Sequence, residues 1–326
     1  MKEYFKENLW FIIILIIIVA LFNIRLPYYI NMPGGTIEIN DRIECKSCKD
    51  INGSLNLLYV SEYEATVPTY LLSLVMSDWD IEKVSEQQVN NETMEEIYNR
   101  NKIMLEESID SAVIVAYKES NKEVNITNKK NIVIATTTDN NIKIGDEIIE
   151  VDGKKVENVI GIRKIISSKN KGDKIGIKVI RKGEEKVINT VVSDIDGNKM
   201  IGVVVSTDID YEIDPKIKLK FKSSEAGASG GLMLALSIYS KIADEDIIKG
   251  RRIAGTGTIE SDGTVGEIDG VKYKIMGADK DNIDLVFVPS DNYKEAIKIK
   301  KKKHYKMKIV KVDTFEDAVK YLKDNN

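Results

Sequence analysis

Histidine is nearly absent from this chain of 326 residues, which holds only His304. Multi-histidine zinc and iron centres are therefore excluded, and a Ser-His-Asp or Cys-His mechanism is left with one candidate base. Cysteine is almost as scarce. Cys45 and Cys48 cannot build a disulfide scaffold, and no second pair completes a four-ligand metal site. Their CxxC spacing is read as an incidental thiol pair or a local disulfide near a hairpin. No G-x-x-x-x-G-K-[ST] phosphate loop occurs anywhere, so nucleotide hydrolysis is not expected. Charge of one sign is lacking too: 52 acids against 48 bases leave a net charge of −4 and no reason to expect nucleic acid as a partner.

What the chain does have is length for about two folded units and one long hydrophobic run. The seventeen residues between Glu7 and Arg25 are uncharged, and Leu9 to Phe22 is unbroken apolar sequence. As a helix this spans roughly 25 Å, slightly under a bilayer core. Lys6 and Arg25 could snorkel, and Trp10, Tyr28 and Tyr29 could sit at the interfaces. The expectation is an uncleaved transmembrane anchor over residues 1–26, in contact with membrane lipid, because the flank lacks a small-x-small cleavage pattern. Lys2 and Lys6 are matched by Glu3 and Glu7, so charge bias does not orient it.

Beyond the anchor, Thr36 to Ile39 and Ser54 to Val60 read as strands, with Asn52-Gly53 as a turn between them. Asn91 to Lys118 reads as a helix with Thr93 as N-cap. A polar seam from Asn121 to Lys130 precedes a β-rich stretch that includes Ile132 to Thr136, one short helix from Ile160 to Ser167, and a closing turn at Asp196-Gly197. From Met200 onward strands and helices alternate.

One segment has the composition of a reactive site. Lys222 to Gly231 (KSSEAGASGG) leads into an apolar run of helical length, so Ser229 stands where a glycine-rich turn enters a helix. Small neighbours such as Gly227 and Ala228 let a substrate backbone approach the hydroxyl, and free N–H groups of a first helical turn can hold an oxyanion. The plainer alternative is an ordinary helix cap. As a nucleophile Ser229 needs a base. Gly227-x-Ser229-x-Gly231 matches a nucleophile elbow with His304 downstream, but His304 lies in a lysine run where neighbouring cations lower its basicity. The other common activator is a lysine kept neutral by burial. Lowering its pKa from about 10.4 to near 7 or 8 takes roughly 4 kcal/mol of desolvation, so the base belongs in an apolar, glycine-lined place. Lys272, after Gly266-Glu267-Ile268-Asp269-Gly270-Val271, is the candidate.

Ser229 and Lys272 in these surroundings resemble the Ser-Lys dyad of Lon-type proteases. Ala254-Gly255-Thr256-Gly257-Thr258-Ile259 and the following Asp262-Gly263 to Lys272 stretch are similar to that family's threonine-glycine strand, hairpin and lysine helix. By this resemblance Thr256 helps orient the lysine. Ile144-Gly145-Asp146-Glu147-Ile148-Ile149-Glu150-Val151-Asp152-Gly153 is similar to the PDZ core signature. Together these features resemble membrane-anchored, PDZ-containing Lon-like proteases of Gram-positive bacteria, some of which process secreted peptide pheromones. The fold implied is an α/β (α+β) Lon-type proteolytic domain with an inserted β-rich PDZ domain: residues 27–123 and 196–326 for the protease, 124–195 for the PDZ. The function implied is that of an ATP-independent serine endopeptidase, without cofactor or metal, at the cell membrane with both domains extracellular. Its partners would be peptide or protein substrates, and related Lon proteases form rings, which leaves room for a homo-oligomer. Substrate is expected to contact Gly227 and Ala228 and to add as a strand along Ile132, Val133 and Ile134. Two alternatives stay open: an anchored PDZ scaffold with an inactive protease fold, and an esterase using Ser229 and His304.

Overall fold

A computed structural model describes residues 8–88, 92–136, 141–157, 159–195 and 198–325. Asn91 at the expected helix start, the Asp196-Gly197 turn and the charged residues up to Glu7 lie outside the described residues.

The apolar run forms the helix Leu9–Asn23, of 15 residues, none of them buried against the rest of the chain. At 1.5 Å per residue it spans about 22 Å. The expected transmembrane span is not supported: among the described residues no helix is long and apolar enough to cross a membrane.

Residues 25–83 and 252–312 supply a six-stranded mixed sheet. Its order is Lys308–Val312, Leu285–Pro289, Arg252–Gly255, Ser54–Thr66, Arg25–Glu38 and Asp80–Lys83. The first four run parallel, and Arg25–Glu38 and Asp80–Lys83 complete it by antiparallel pairing. Residues alternate between faces, as the pleat requires. Ile253, Leu285 and Phe287 enter one core with the helices Met94–Glu119, Gly231–Ile242 and Phe315–Asp324. Ala254, Val286 and Val288 enter another with Val271–Lys280 and Ser290–Lys303. The sheet is thus a middle layer, covered by helices on both faces, as its near-continuous apolar parallel strands demand.

The long helix Met94–Glu119 begins at Thr93, whose hydroxyl accepts from the Glu96 N–H while the Glu96 carboxylate accepts from the Thr93 N–H. This capping box fixes where the helix starts. The chain then leaves the first sheet and its helices along Val124–Thr136 and returns along Val203–Ile213. These two strands pair antiparallel from Val124↔Ile213 to Thr136↔Val203 and join a second sheet with Glu147–Val151, Lys174–Arg181 and Glu184–Val191. The helix Val159–Ser167 closes a separate core around Ile148, Ile162, Ile166 and Ile177.

Candidate active site

The strand Arg252–Gly255 ends at Thr256, a fully buried residue whose N–H donates to the Phe287 carbonyl at 3.0 Å. The Thr256 hydroxyl donates to the Ser229 carbonyl at 3.0 Å, and the Gly257 N–H donates to the same oxygen at 2.8 Å. Two donors on one carbonyl hold the serine backbone to the end of the sheet. From below, one face of Met94–Glu119 supports the serine loop: the Asn101 carbonyl accepts from Gly227 N–H at 2.9 Å and the Ser108 hydroxyl donates to the Ala228 carbonyl at 3.1 Å. Gly231, the first residue of the helix Gly231–Ile242, is pressed so close to the hairpin that a Cβ would lie 2.9 Å from the Ile259 nitrogen and 2.7 Å from Ser108 Oγ. Only glycine allows that approach. The N–H groups of Ser229 and Gly230 have no protein acceptor among the described residues, and they sit at the positive end of this helix.

The helix Val271–Lys280 begins at Gly270, whose φ of +71° requires the left-handed region and whose Cα faces Val60. Val271, Lys274, Ile275 and Ala278 form its buried stripe at the i, i+3, i+4, i+7 spacing of an inward helix face. Lys274 is therefore 3% exposed, and its Nζ donates to Thr256 Oγ1 at 3.1 Å. Burial pushes its ammonium down to about 8, against a smaller opposing pull from Asp269. Lys272 points the other way. Its Nζ lies 2.6 Å from the Asp80 carboxylate and 5.1 Å from the Tyr273 ring centre, with the side chain 27% exposed. The position expected to carry the buried amine is thus a half-exposed ion pair, and the amine that meets the physical requirement belongs to Lys274.

Ser229 and Lys274 line a common groove of roughly 900 Å³. Its wall is the stretch Leu57 to Tyr63 of the strand Ser54–Thr66. On the side where Arg252–Gly255 pairs with residues 54–57, the strand has no further partner among the described residues, so Leu58 to Tyr63 present a free edge to the groove. Such an edge can accept an extended peptide through main-chain hydrogen bonds. The Arg42–Glu225 pair, at 2.6 Å, braces the rim. Chemically, the groove offers a hydroxyl, a desolvated amine, two unoccupied N–H donors and a strand template.

Gly227 lines the groove, whereas Ala228 turns its carbonyl to Ser108 and does not line it. Ile132 and Val133 are already paired on both sides and cannot take an added strand, and Ile134 lies between them and Ala135 at a register shift. Val133 and Ile132 face Val205 and Ser206 on one side. On the other, Ile132 faces Glu147, and Val133 exchanges backbone hydrogen bonds with Gly145 and Asp146 at 2.8 and 2.9 Å. One of the two outer strands of that sheet is Val203–Ile213, which pairs on one side only among the described residues and touches the helix Val159–Ser167. His304 caps the end of Ser290–Lys303, exposed, and does not line the groove. Cys45 and Cys48 are joined in a local disulfide.

Residues 222–323 match the family model of the Lon protease (S16) C-terminal proteolytic domain, and residues 115–192 match that of the PDZ domain. The chain carries a Lon-type proteolytic domain and a PDZ domain. Among curated proteins it is similar to the Lon protease of Campylobacter jejuni, 22% identical over 90% of this chain and 41% of that protein. It is also similar to the Lon protease of Aster yellows witches'-broom phytoplasma, 32% identical over 28% of this chain and 11% of that protein. The chain therefore spans less than half the length of these relatives. Among solved structures, the PDZ domain of the SdrC-like protein from Listeria monocytogenes aligns at 23% identity over 25% of this chain and 92% of that chain, with a TM-score of 0.23. The Lon match contains Lys272 and Lys274 alike, so it is geometry that separates them.

Proposed function

We propose that this chain is an ATP-independent serine endopeptidase in which Lys274 activates Ser229. The observation that carries the reading is the buried Lys274 amine, joined through Thr256 to the backbone of Ser229 and facing the same groove. With a pKa near 8, about a tenth of the amine is neutral at pH 7, enough to act as a base. Neutral Lys274 takes the proton of the Ser229 hydroxyl as its oxygen attacks the peptide carbonyl, and the N–H groups of Ser229 and Gly230 hold the resulting oxyanion. The lysine ammonium then gives its proton to the leaving amine, and an acyl-enzyme remains. Water, deprotonated by the same amine, hydrolyses the ester and frees Ser229.

The free edge at Leu58 to Tyr63 favours flexible or already extended substrates, paired as an added strand. Residues 1–326 hold no phosphate loop, which supports a site that acts on its substrate without nucleotide. The PDZ domain would position substrate along its outer strand Val203–Ile213. We place the enzyme at the outer face of the cell membrane, associated through the helix Leu9–Asn23. Two features support this: that helix is apolar on all sides and unburied, and the Cys45–Cys48 disulfide suits an oxidising compartment.

The test is cleavage of a labelled unfolded polypeptide by the full chain without nucleotide. Cleavage is expected from the wild type and from Lys272→Met, and not from Ser229→Ala or Lys274→Met. Cleavage that survives Ser229→Ala would overturn the reading.

A further inference from the structure

Large apolar side chains exposed among the described residues concentrate in two runs. One is the helix Leu9–Asn23; the other is residues 71–76, where Leu71, Leu72, Leu74, Val75 and Met76 all face outward. Val75 is 77% exposed and Leu74 62%. A contiguous apolar patch of this kind marks a contact surface rather than ordinary scatter. The two runs adjoin. The helix Leu9–Asn23 touches the helix Val67–Ser73, and the Tyr70 ring of the latter lies 5.2 Å from the Tyr28 ring on the strand that follows the first helix.

The lysine run that the catalytic reading leaves unused borders the same segment. Lys303 Nζ is 2.6 Å from the Asp78 carboxylate, which ties the C-terminal end of Ser290–Lys303 to the loop after the patch. In the same C-terminal part of this helix and just after it, Lys298, Lys301, Lys302 and Lys306 are exposed, with no ion-pair partner among the described residues. Trp79, half-buried, follows Asp78, and its backbone N–H donates to the Met76 carbonyl at 3.2 Å. An apolar face tied through Asp78 to a helix end rich in free cations, with an indole in the adjoining loop, is complementary to anionic headgroups over acyl chains.

We propose that residues 71–79 and the basic end of the helix Ser290–Lys303 form a second membrane contact, selective for an anionic bilayer surface. It rests on the membrane placement proposed above and adds to it a headgroup-reading face on the protease domain itself. The strand Ser54–Thr66 runs from the groove wall at Leu57 to Tyr63 directly into this contact. One end of the groove would then lie at headgroup level, where chain segments leaving the bilayer become accessible as substrate.

The two tryptophans of the chain, Trp10 and Trp79, report the two contacts separately. In the full chain with vesicles carrying brominated acyl chains, Trp10→Phe leaves Trp79 as reporter and Trp79→Phe leaves Trp10. Trp79 should be quenched when phosphatidylglycerol is present and lose quenching in phosphatidylcholine alone. Replacing Lys298, Lys301, Lys302 and Lys306 by Gln should abolish that dependence. A Val75→Trp variant in a background lacking both native tryptophans should be quenched at least as strongly as Trp79. Quenching of Trp10 with none at Trp79 or at Val75→Trp would overturn this proposal while keeping the helix in the membrane. Quenching at the patch with none at Trp10 would uphold the proposal and reject the helix. No quenching at any of the three would overturn both.

Discussion

Lys272 and Lys274 stand two residues apart on one helix and occupy opposite chemical worlds. Two residues turn a helix by about 200°, so one side chain emerges toward Asp80 and water while the other enters the buried stripe with Val271, Ile275 and Ala278. The first amine stays in an ordinary surface ion pair. The second loses most of its hydration and gains only the Thr256 hydroxyl and a distant Asp269 in return. Reactivity here is a property of which helical face a residue occupies, since residue type, element and sequence neighbourhood are shared.

The largest expected effect comes from Lys274→Met. It should reduce peptide cleavage at least a thousandfold, as loss of a nucleophile's base does. Its effect on folding should run the other way. Depressing the amine from 10.5 to about 8 costs the folded state about 3 kcal/mol below pH 8. In the wild type that cost fades as pH rises from about 8 to 10.5, because there the unfolded chain binds the extra proton, so this group makes stability increase with pH over that window. Met fills similar volume without charge, so urea unfolding should show equal or greater stability at pH 7 and lose this slope. A marked fall in stability would mean that the buried amine is a structural partner, not a tolerated strain.

Thr256→Val comes next. It removes the hydroxyl that links Lys274 to the Ser229 carbonyl and should lower kcat by about ten- to a hundredfold, with Thr256→Ser restoring most of it. Equal loss in both variants would assign Thr256 to packing. The smallest effect belongs to Lys272→Met. A partly exposed pair with Asp80 contributes no more than about 1 kcal/mol, so cleavage should stay within about twofold of wild type and the unfolding midpoint should barely move.

Much of this arrangement could be read from sequence because it is local. The Thr93 cap and the serine at a glycine turn entering a helix each depend on a few consecutive residues, whereas Thr256 came only from the family resemblance. The choice of lysine was also local, yet the G-x-x-x-G-V-K pattern drew it to Lys272. The stripe Val271, Lys274/Ile275, Ala278 was visible in the sequence, and a lysine inside such a stripe is the signal that would have singled out Lys274. The substrate edges were not legible at all. Val133 finds its partner in Val205, and whether Leu58 to Tyr63 keep an open side depends on where Arg252–Gly255 stops pairing. Those are facts of long-range register, and no short window of sequence contains them. The apolar helix was legible as an element, but its 15 ordered residues fall short of the length that its composition suggested.

The central claim is tested most directly by the pH dependence of Ser229 acylation by a serine-directed fluorophosphonate, followed by intact mass in the wild type, Lys272→Met and Lys274→Met. The account predicts a rate that climbs about tenfold per pH unit and levels off near pH 8 in the first two proteins, with negligible labelling in the third. Loss of labelling in Lys272→Met, or an unchanged profile in Lys274→Met, would contradict it.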